Sequence, residues 1–373
     1  MNIFDYALKN SSTDSSTNDN TSPGTQVPAA SALPTYGDLM SQLGQPSFRA
    51  KQLAAWLWGE CVHSYDEMTN LPADLRARLT ELAPLVRGSI IARQQSKDGT
   101  RKYLIEFADG VSVEAVGLPA TDASKRLTVC ISSQAGCAMG CSFCATGQGG
   151  LVRNLTPGEL AEQVRIVAYD FELRASNVVV MGQGEPFRNY ANTLAGLRII
   201  NAAPADGGLG IGARHITLST AGIIKGIERL SHEPEQFTLA VSLHSAVQET
   251  RDRLMPGLAS QPLDKLAVAL ADYFDRTQRR PSLEFAVIDG ISATSSEIFA
   301  LIDFAQKTQA HVNLIPLNSV EELESNKGLK PASQLDTMHL ANTLRSAGIK
   351  ATVRRRRGAD IAAACGQLAQ KPS

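Results

Sequence analysis

The stretch L-T-V-C-I-S-S-Q-A-G-C-A-M-G-C-S-F-C, residues 127–144, decides how the rest of the chain is read. Its opening, residues 127–132, is a short run rich in β-branched and apolar residues and reads as a strand. The run passes directly into Cys137, Cys141 and Cys144, spaced C-x3-C-x2-C. A cubane iron–sulfur cluster has four iron corners, so three thiolates leave one iron open to a small molecule, which points to catalysis rather than electron storage. The competing reading is a structural zinc site with its fourth ligand elsewhere. Closed zinc sites are usually built from paired C-x2-C elements, and no second pair exists in this sequence. Phe143, between the last two cysteines, suits shielding of a metal from water and ordinary core packing alike.

Downstream, short β-branched runs alternate with amphipathic stretches. Strands are expected at residues 127–132, 177–181, 215–219, 237–243, 283–288 and 311–315. Residues 157–171 and 263–274 have the spacing and length of helices that return a chain to the next parallel strand. Six such units predict an α/β fold, a partial (β/α)6 barrel, in which chemistry gathers at the C-terminal ends of the strands. The second strand ends in G-Q-G-E-P at 182–186, the third at Ser219-Thr220, the fourth at Ser242-Leu243-His244 and the sixth at Pro316-Leu317-Asn318. Only the fifth delivers no such group. Glycine pairs after strands usually mark tight turns. Beside an open iron they also permit close backbone approach, and Glu185 can accept hydrogen bonds from a ligand's ammonium group. His244 reads as a hydrogen-bonding pocket residue rather than an acid–base or metal residue. Ser219 and Asn318 could equally cap following helices, and their shared rim is the argument for ligand binding.

Upstream, K-Y-L-I-E-F-A-D-G-V-S-V-E-A-V-G-L at 102–118 alternates around an Asp-Gly turn, the mark of a β-hairpin. Residues 36–86 have helical spacing, with Phe48, Leu53, Trp56 and Leu57 on one stripe and Met68, Leu71, Leu75 and Leu79 on another. Residues 10–33 are too polar to bury an apolar face. The expected organisation is a disordered leader (1–33), a helical accessory domain (34–98), a β-hairpin linker (99–122), the barrel core (123–350) and a C-terminal segment (351–373).

The 373 residues are 43% hydrophobic, enough for a sizeable core, and the formal net charge of -1 neither demands nor excludes a nucleic-acid partner. No apolar run approaches the roughly 20 residues of a membrane span, and the polar N-terminus has no signal-peptide pattern. A cytoplasmic protein with no membrane partner is expected. Six cysteines, three of them in one run, do not suggest a secreted disulfide framework.

The run Arg354 to Arg357 would ordinarily be a solvated strip. Eight residues further on stands Cys365, in A-A-A-C-G-Q-L, and a phosphate-binding strip so close to a thiol could bring a nucleic acid to it. Cys61 reads as an inert buried thiol. Cys130, seven residues before Cys137, and Cys365 are placed for redox or covalent chemistry.

With C-x3-C-x2-C after a first strand and G-x-G-E-P after a second, the chain resembles the radical S-adenosylmethionine superfamily. M-T-N-L-P (68–72), C-I-S-S-Q-A-G-C (130–137), R-N-L-T (153–156), A-V-S-L-H (240–244), V-N-L-I-P-L-N (312–318) and A-C-G-Q-L (364–368) narrow the resemblance to the RlmN/Cfr group of RNA adenosine methyltransferases, over about residues 36–368. The resemblance implies that Cys137, Cys141 and Cys144 hold a [4Fe-4S] cluster whose open iron chelates S-adenosyl-L-methionine. Gly184, Glu185, Ser219, Ser242, Leu243, His244 and Asn318 would line that pocket, and residues 34–98 would bind RNA. It further implies that one S-adenosylmethionine methylates Cys365 and that a second, cleaved reductively, yields a radical that takes hydrogen from this methyl group. The carbon radical would add to an adenine ring, and Cys130 would resolve the adduct through a disulfide with Cys365. Glu114 falls at the group's proton acceptor, although the residues alone do not favour it over Glu106.

The implied substrates are 23S rRNA, at C2 of an adenosine in the peptidyl-transferase centre, and tRNA, at an adenosine next to the anticodon. The implied electron source is a reducing partner such as flavodoxin or ferredoxin. C2 of adenine is too electron-poor for an ordinary electrophilic methyl donor, so a thiol-bound methylene radical makes sense of the two outlying cysteines. Two alternatives stand beside this reading: C8 methylation of the same rRNA adenosine, and a non-catalytic RNA-binding protein with a structural metal. Three departures from the group's pattern are expected to bear on substrate fit alone. Gln183 replaces a methionine and could adjust the pocket, Ser245-Ala246 replaces Ala-Pro, and Arg355-Arg356 replaces Lys-Thr.

Overall fold

The computed structural model describes residues 1–8, 34–60, 62–318 and 328–368. Cys61 and the polar stretch 10–33 lie outside them. Residues 1–8 were expected in the leader, but they are folded in: Ile3 and Phe4 are buried, and Phe4 meets Trp58 edge-on at 5.3 Å. The backbone of Phe4 lies so close to Gly158 that a Cβ there would come 2.1 Å from its carbonyl oxygen. A run this short carries no periodicity, and only its tertiary partner orders it.

The accessory helices are Tyr36–Gln42 (α1), Phe48–Ala54 (α2), continued by a π-helical turn Ala55–Glu60, and Ala73–Leu82 (α3). Thr35 caps α1 through a reciprocal pair of bonds with Asp38. Leu53, Leu57, Met68, Leu71, Leu75 and Leu79 are buried as their spacing predicts, whereas Phe48 is 54% exposed beneath the Arg49 guanidinium.

The expected hairpin is a three-stranded antiparallel extension: Ser89–Gln95 (β1), Arg101–Glu106 (β2) and Ser112–Pro119 (β3). β1 falls within the segment expected to be helical. Its residues are almost all exposed, so no inside–outside alternation marks it, and pairing with β2 alone makes it a strand. β3 pairs antiparallel with Leu127–Ile131 (β4), which joins the extension to the core in one ten-stranded sheet.

After β4 come Gln134–Gly136 (β5), Ala145–Gln148 (α4), Leu151–Asn154 (β6), Pro157–Phe171 (α5), Ala175–Val180 (β7), Tyr190–Asn201 (α6) and Ile216–Thr220 (β8). There follow Ile224–Leu230 (α7), Thr238–Ser242 (β9), Gln248–Leu254 (α8), Leu263–Thr277 (α9), Ser282–Val287 (β10), Ser295–Lys307 (α10), His311–Pro316 (β11), Gln334–Ser346 (α11) and Ala351–Val353 (β12). β4, β7, β8, β9, β10, β11 and β12 are adjacent in that order and parallel throughout. All six expected strands are present. β12, three residues long, is a seventh that periodicity could not reveal. The architecture is the α/β partial barrel anticipated, with its accessory helices at the N-terminal side of the chain.

Local chemistry explains the helices where it was most legible. Thr156 and Glu159 form a capping box on α5, with Pro157 in its first turn. The buried stripe Leu160, Val164 and Val167 then packs on the sheet, and Gly196 lets α6 approach Pro157 and Leu160. Burial of each such side chain contributes about 1.5–3 kcal/mol. Among the described residues, no helix is long and apolar enough to cross a membrane.

Candidate active site

β5 and β6 pair as a small antiparallel ribbon that brackets the cysteine loop. Gly136 turns with φ 73°, and the Cys137 N–H donates to the Gly150 carbonyl at 2.7 Å. From another side the end of α8 grips the loop: Ser142 N–H donates to Leu254 O at 2.8 Å and Gly257 N–H to Met139 O at 3.0 Å. The C-terminal segment holds it too, through Ala145 N–H to Gly366 O at 2.8 Å and Thr146 Oγ1 to Leu368 O at 2.7 Å. The flanking ribbon and two distant parts of the chain thus fix the loop without using a thiol.

Cys137, Cys141 and Cys144 all line one cleft at the C-terminal ends of the parallel strands, with about 1010 Å³ of empty space, its open mouth included. Burial pushes the Cys137 thiol up to about 11, and burial with the neighbouring thiols pushes Cys141 up as well. Thiols so placed become thiolates only when a cation repays the burial of their charge. Of the cleft's lining groups, Asn318 Oδ1 is buried without a partner among the described residues, while its amide nitrogen donates to Cys365 O at 3.1 Å. This donor set fits an iron–sulfur cluster with an amino-acid-like ligand on its open side.

Gly184, Glu185, Ser219, Ser242, His244 and Asn318 line the same cleft, as expected. Leu243 does not. Its side chain is wholly buried in the core, because successive residues at a strand end point to opposite sides. Glu185 is held by three donors: Phe187 N–H at 2.9 Å, Thr220 Oγ1 at 2.8 Å and Ala221 N–H at 2.6 Å. A carboxylate has about four acceptor sites, so one remains for a ligand. Burial raises its pKa, and the three hydrogen bonds draw it back only in part. Gly182 and Gly184 serve the protein's own packing. A Cβ at Gly182 would lie 2.6 Å from Ser132 Oγ, and one at Gly184 would lie 2.7 Å from Gln134 N. Gln183 is absent from the cleft lining; its side-chain oxygen accepts from the Glu114 N–H at 3.4 Å, so the departure at this position faces β3.

His244 has φ 57°, in the left-handed region, which costs an L-residue about 1–2 kcal/mol. Its Nδ1 accepts the Ala286 N–H at 3.0 Å, so the neutral ring carries its proton on Nε2. Burial, then the Arg251 charge, brings its pKa down to about 3. The ring stands edge-on to Phe143 at 4.6 Å, and Phe143 also lines the cleft.

A second cleft adjoins the first. Cys130, Val116, Leu118 and Arg354 to Arg357 line it, and Cys365 lines both. Both thiols are free, with Cys365 exposed and Cys130 buried in a small apolar cluster with Val116, Ala363 and Leu368. Burial, then the nearby Cys365, pushes the Cys130 thiol up to about 12. The arginine run is not a uniform solvated strip. Arg354 Nη1 lies 3.4 Å from Glu284 Oε2, Arg356 donates to Leu317 O at 2.8 Å and Arg357 pairs with Asp98 at 3.1 Å, while Arg355 is exposed. The fifth parallel strand, expected to bring nothing, therefore brings Glu284. A lone glutamate in the apolar run S-L-E-F-A was a readable signal, since buried charges need partners. Glu114 lines neither cleft. It is buried in an ion pair with Lys102 at 2.9 Å, and Lys102 Nζ also lies 3.4 Å from Ala362 O on the segment that carries Cys365.

Comparison with known proteins agrees with this geometry. The model of the Radical SAM superfamily matches residues 131–278, and that of the Ribosomal RNA large subunit methyltransferase N-terminal domain matches residues 34–85. A "Probable dual-specificity RNA methyltransferase RlmN" from Acaryochloris marina is 41% identical over 324 residues, covering 87% of this chain and 89% of its own. One of the same description from Synechococcus elongatus is 42% identical, covering 90% and 91%. The crystal structure of a radical SAM methyltransferase from Sphaerobacter thermophilus superposes with a TM-score of 0.83 at 36% identity, covering 99% of each chain. The superfamily works with a [4Fe-4S] cluster and S-adenosylmethionine, for which the cysteines are present here. A cleft lined by the three cysteines, an adjoining cleft with two free thiols and relatives of this similarity along nearly the whole chain lead to one conclusion: the chain belongs to the RlmN family of radical S-adenosylmethionine RNA methyltransferases.

Proposed function

We propose that this enzyme methylates C2 of an adenosine in the peptidyl-transferase centre of 23S rRNA and of an adenosine next to the anticodon of tRNA, through a methylated Cys365. The observation that carries this reading is the position of Cys365 on the wall shared by two clefts, with the cluster cysteines in one and Cys130 in the other. When bound, the cluster and S-adenosylmethionine supply the methyl group, the electron and the hydrogen-abstracting power. The chain's own residues do the rest. Cys137, Cys141 and Cys144 ligate the cluster. Glu185 accepts from the amino group of the methyl donor, while the Nε2–H of neutral His244 and the unpaired Oδ1 of Asn318 orient it from the other strands.

Cys365 accepts a methyl group facing the first cleft and presents it to an adenine facing the second. Once the adduct has given up its unpaired electron and C2 its proton, Cys130 loses its thiol proton and forms a sulfur–sulfur bond to Cys365 as the carbon–sulfur bond to the base breaks; the electron pair of that bond stays on the methylene carbon, which takes a proton to become the methyl group. Glu114, paired with Lys102 behind the cleft walls, is the final acceptor of the proton released at C2, which reaches it by relay rather than by direct contact. Exposed Arg355 and Arg356 meet RNA phosphates. A flavodoxin or ferredoxin delivers the electron in the cytoplasm, where both RNAs reside.

Anaerobic turnover with 23S rRNA or tRNA, S-adenosylmethionine and a chemical reductant tests this, with mass spectrometry of the digested RNA as readout. The expected product is 2-methyladenosine from both. 8-Methyladenosine overturns the C2 assignment, a product from rRNA alone removes tRNA, and no product from either overturns the reading.

A further inference from the structure

Arg251, on α8, is a fully buried guanidinium with no carboxylate among the described residues bonded to it. Its Nη2 donates to the Ala221 carbonyl at 2.7 Å, and its Nε and Nη1 are buried without any partner. Room for it is built in: at Gly222, with φ 106°, a Cβ would stand 2.8 Å from Nη2. An isolated buried charge costs several kcal/mol, which an evolved core accepts only when an anion repays it.

The surroundings identify that anion. Asp252, the adjacent carboxylate, is half-buried and accepts from Gln248 at 2.7 Å. The other ionisable group that acts electrostatically on Arg251 is the Cys141 thiol, which becomes an anion when it ligates a metal. One helical turn after Arg251, Leu254 O accepts the Ser142 N–H, the residue next to Cys141, so the end of α8 is clamped to the cysteine loop. Arg251 is also behind the cleft wall: it is not among the lining residues, whereas Ala221, to which it is bonded, is. It therefore cannot serve as a hand for the bound methyl donor. Residue Ala221 instead stands between it and Glu185: its carbonyl accepts from the guanidinium and its N–H, in the preceding peptide group, donates to the carboxylate at 2.6 Å.

We propose that Arg251 is the counter-charge of the iron–sulfur site, a fixed cation that offsets the three thiolates and favours the addition of an electron to the cluster they hold. The inference rests on the assignment of Cys137, Cys141 and Cys144 as cluster ligands. Net charge and hydrogen bonding around the sulfurs are what set such potentials, so a buried cation at this place stabilises the reduced, more negative form. In the metal-free chain the same cation has no bonded anion among the described residues, and the half-buried Asp252 offsets it only in part.

These two consequences separate the proposal from a merely structural role through the Ala221 bond. Wild type, Arg251→Met and Arg251→Lys, each full length, are reconstituted anaerobically with iron and sulfide. Iron content and the midpoint potential are then measured by paramagnetic resonance during titration with dithionite, in which each cluster gains one electron. Arg251→Met is expected to disfavour reduction at least tenfold, a shift of about 59 mV to more negative potential for a one-electron couple. Arg251→Lys keeps the charge and is expected to shift less than half as far. Equal potentials in wild type and Arg251→Met overturn the proposal. If Arg251→Met takes up no iron, melting of the metal-free chains decides. A Tm at or above that of metal-free wild type supports the counter-charge, and a lower Tm shows a structural role and overturns it. Failure of wild type itself to bind iron refutes the ligand assignment instead.

Discussion

Nη1 of Arg354 lies 4.0 Å from Sγ of Cys365, on the wall between the two clefts. The same Nη1 also lies 3.4 Å from Glu284 Oε2 and 3.8 Å from Met181 Sδ, contacts that hold the guanidinium beside the thiol. A thiol must lose its proton to accept a methyl group, and a cation beside the sulfur favours that loss. Arg354→Gln is expected to slow methylation of Cys365 about tenfold, the equivalent of about 1.4 kcal/mol, with cluster content unchanged. Peptide mass spectrometry of Cys365 over time reads the rate, and an unchanged rate removes Arg354 from this role. Glu284 keeps Asn313 and Ser282 as partners, so the stability cost should stay near about 1–3 kcal/mol.

The ring of His244 gives a pH signature. Its pKa is depressed to about 3 in the fold, below the ordinary value of 6.5, so the unfolded chain binds the extra proton first as pH falls. Stability from this group is complete above about pH 6.5 and is lost as pH falls towards 3. Between pH 6.5 and 5 the loss should be about 1–2 kcal/mol. Urea unfolding of wild type and His244→Gln at both values measures it; equal losses in the two would show that His244 is not the sensing group.

Gly184 cannot be enlarged cheaply. Its φ is 97°, and a Cβ would sit 2.5 Å from Gln134 Cβ and 2.7 Å from Gln134 N, which is backbone that cannot yield. Gly184→Ala should destabilise by about 1–3 kcal/mol and displace Glu185, the next residue. Calorimetric titration with S-adenosylmethionine should show weakened binding, and wild-type affinity with wild-type Tm would contradict the close approach.

Cys130 provides the release step in the proposed sequence. Cys130→Ala should still load its cluster and methylate Cys365, yet leave RNA covalently attached to the chain. A slow-migrating protein–RNA band on a denaturing gel is the expected observation, and free methylated RNA at the wild-type rate would remove Cys130 from the mechanism.

Much of this was legible in one dimension because the relevant chemistry is local. Cys137, Cys141 and Cys144 lie within eight residues, and the six central strands are apolar runs whose partners follow in order, so spacing alone announced both the ligand set and the barrel. The capping box of α5 is likewise complete in four consecutive residues. What escaped reading depends on partners far away. β1 carries no alternation because both its faces are largely exposed, and β12 is too short to show any; each is a strand only by pairing. Residues 3–8 are ordered by α5 and Trp58, more than fifty positions distant.

The sequence by itself determined the kind of chemistry, since thiol count and spacing are properties of the chain alone. Tertiary structure alone decided which groups share a wall. It turned Leu243 into the core and Gln183 towards β3, brought Glu284 and Arg354 to Cys365, and sealed Arg251 behind Ala221 of the cleft wall without a bonded anion among the described residues. Side-chain direction and the pairing of buried charges follow from packing between segments far apart in sequence, which local propensity cannot encode.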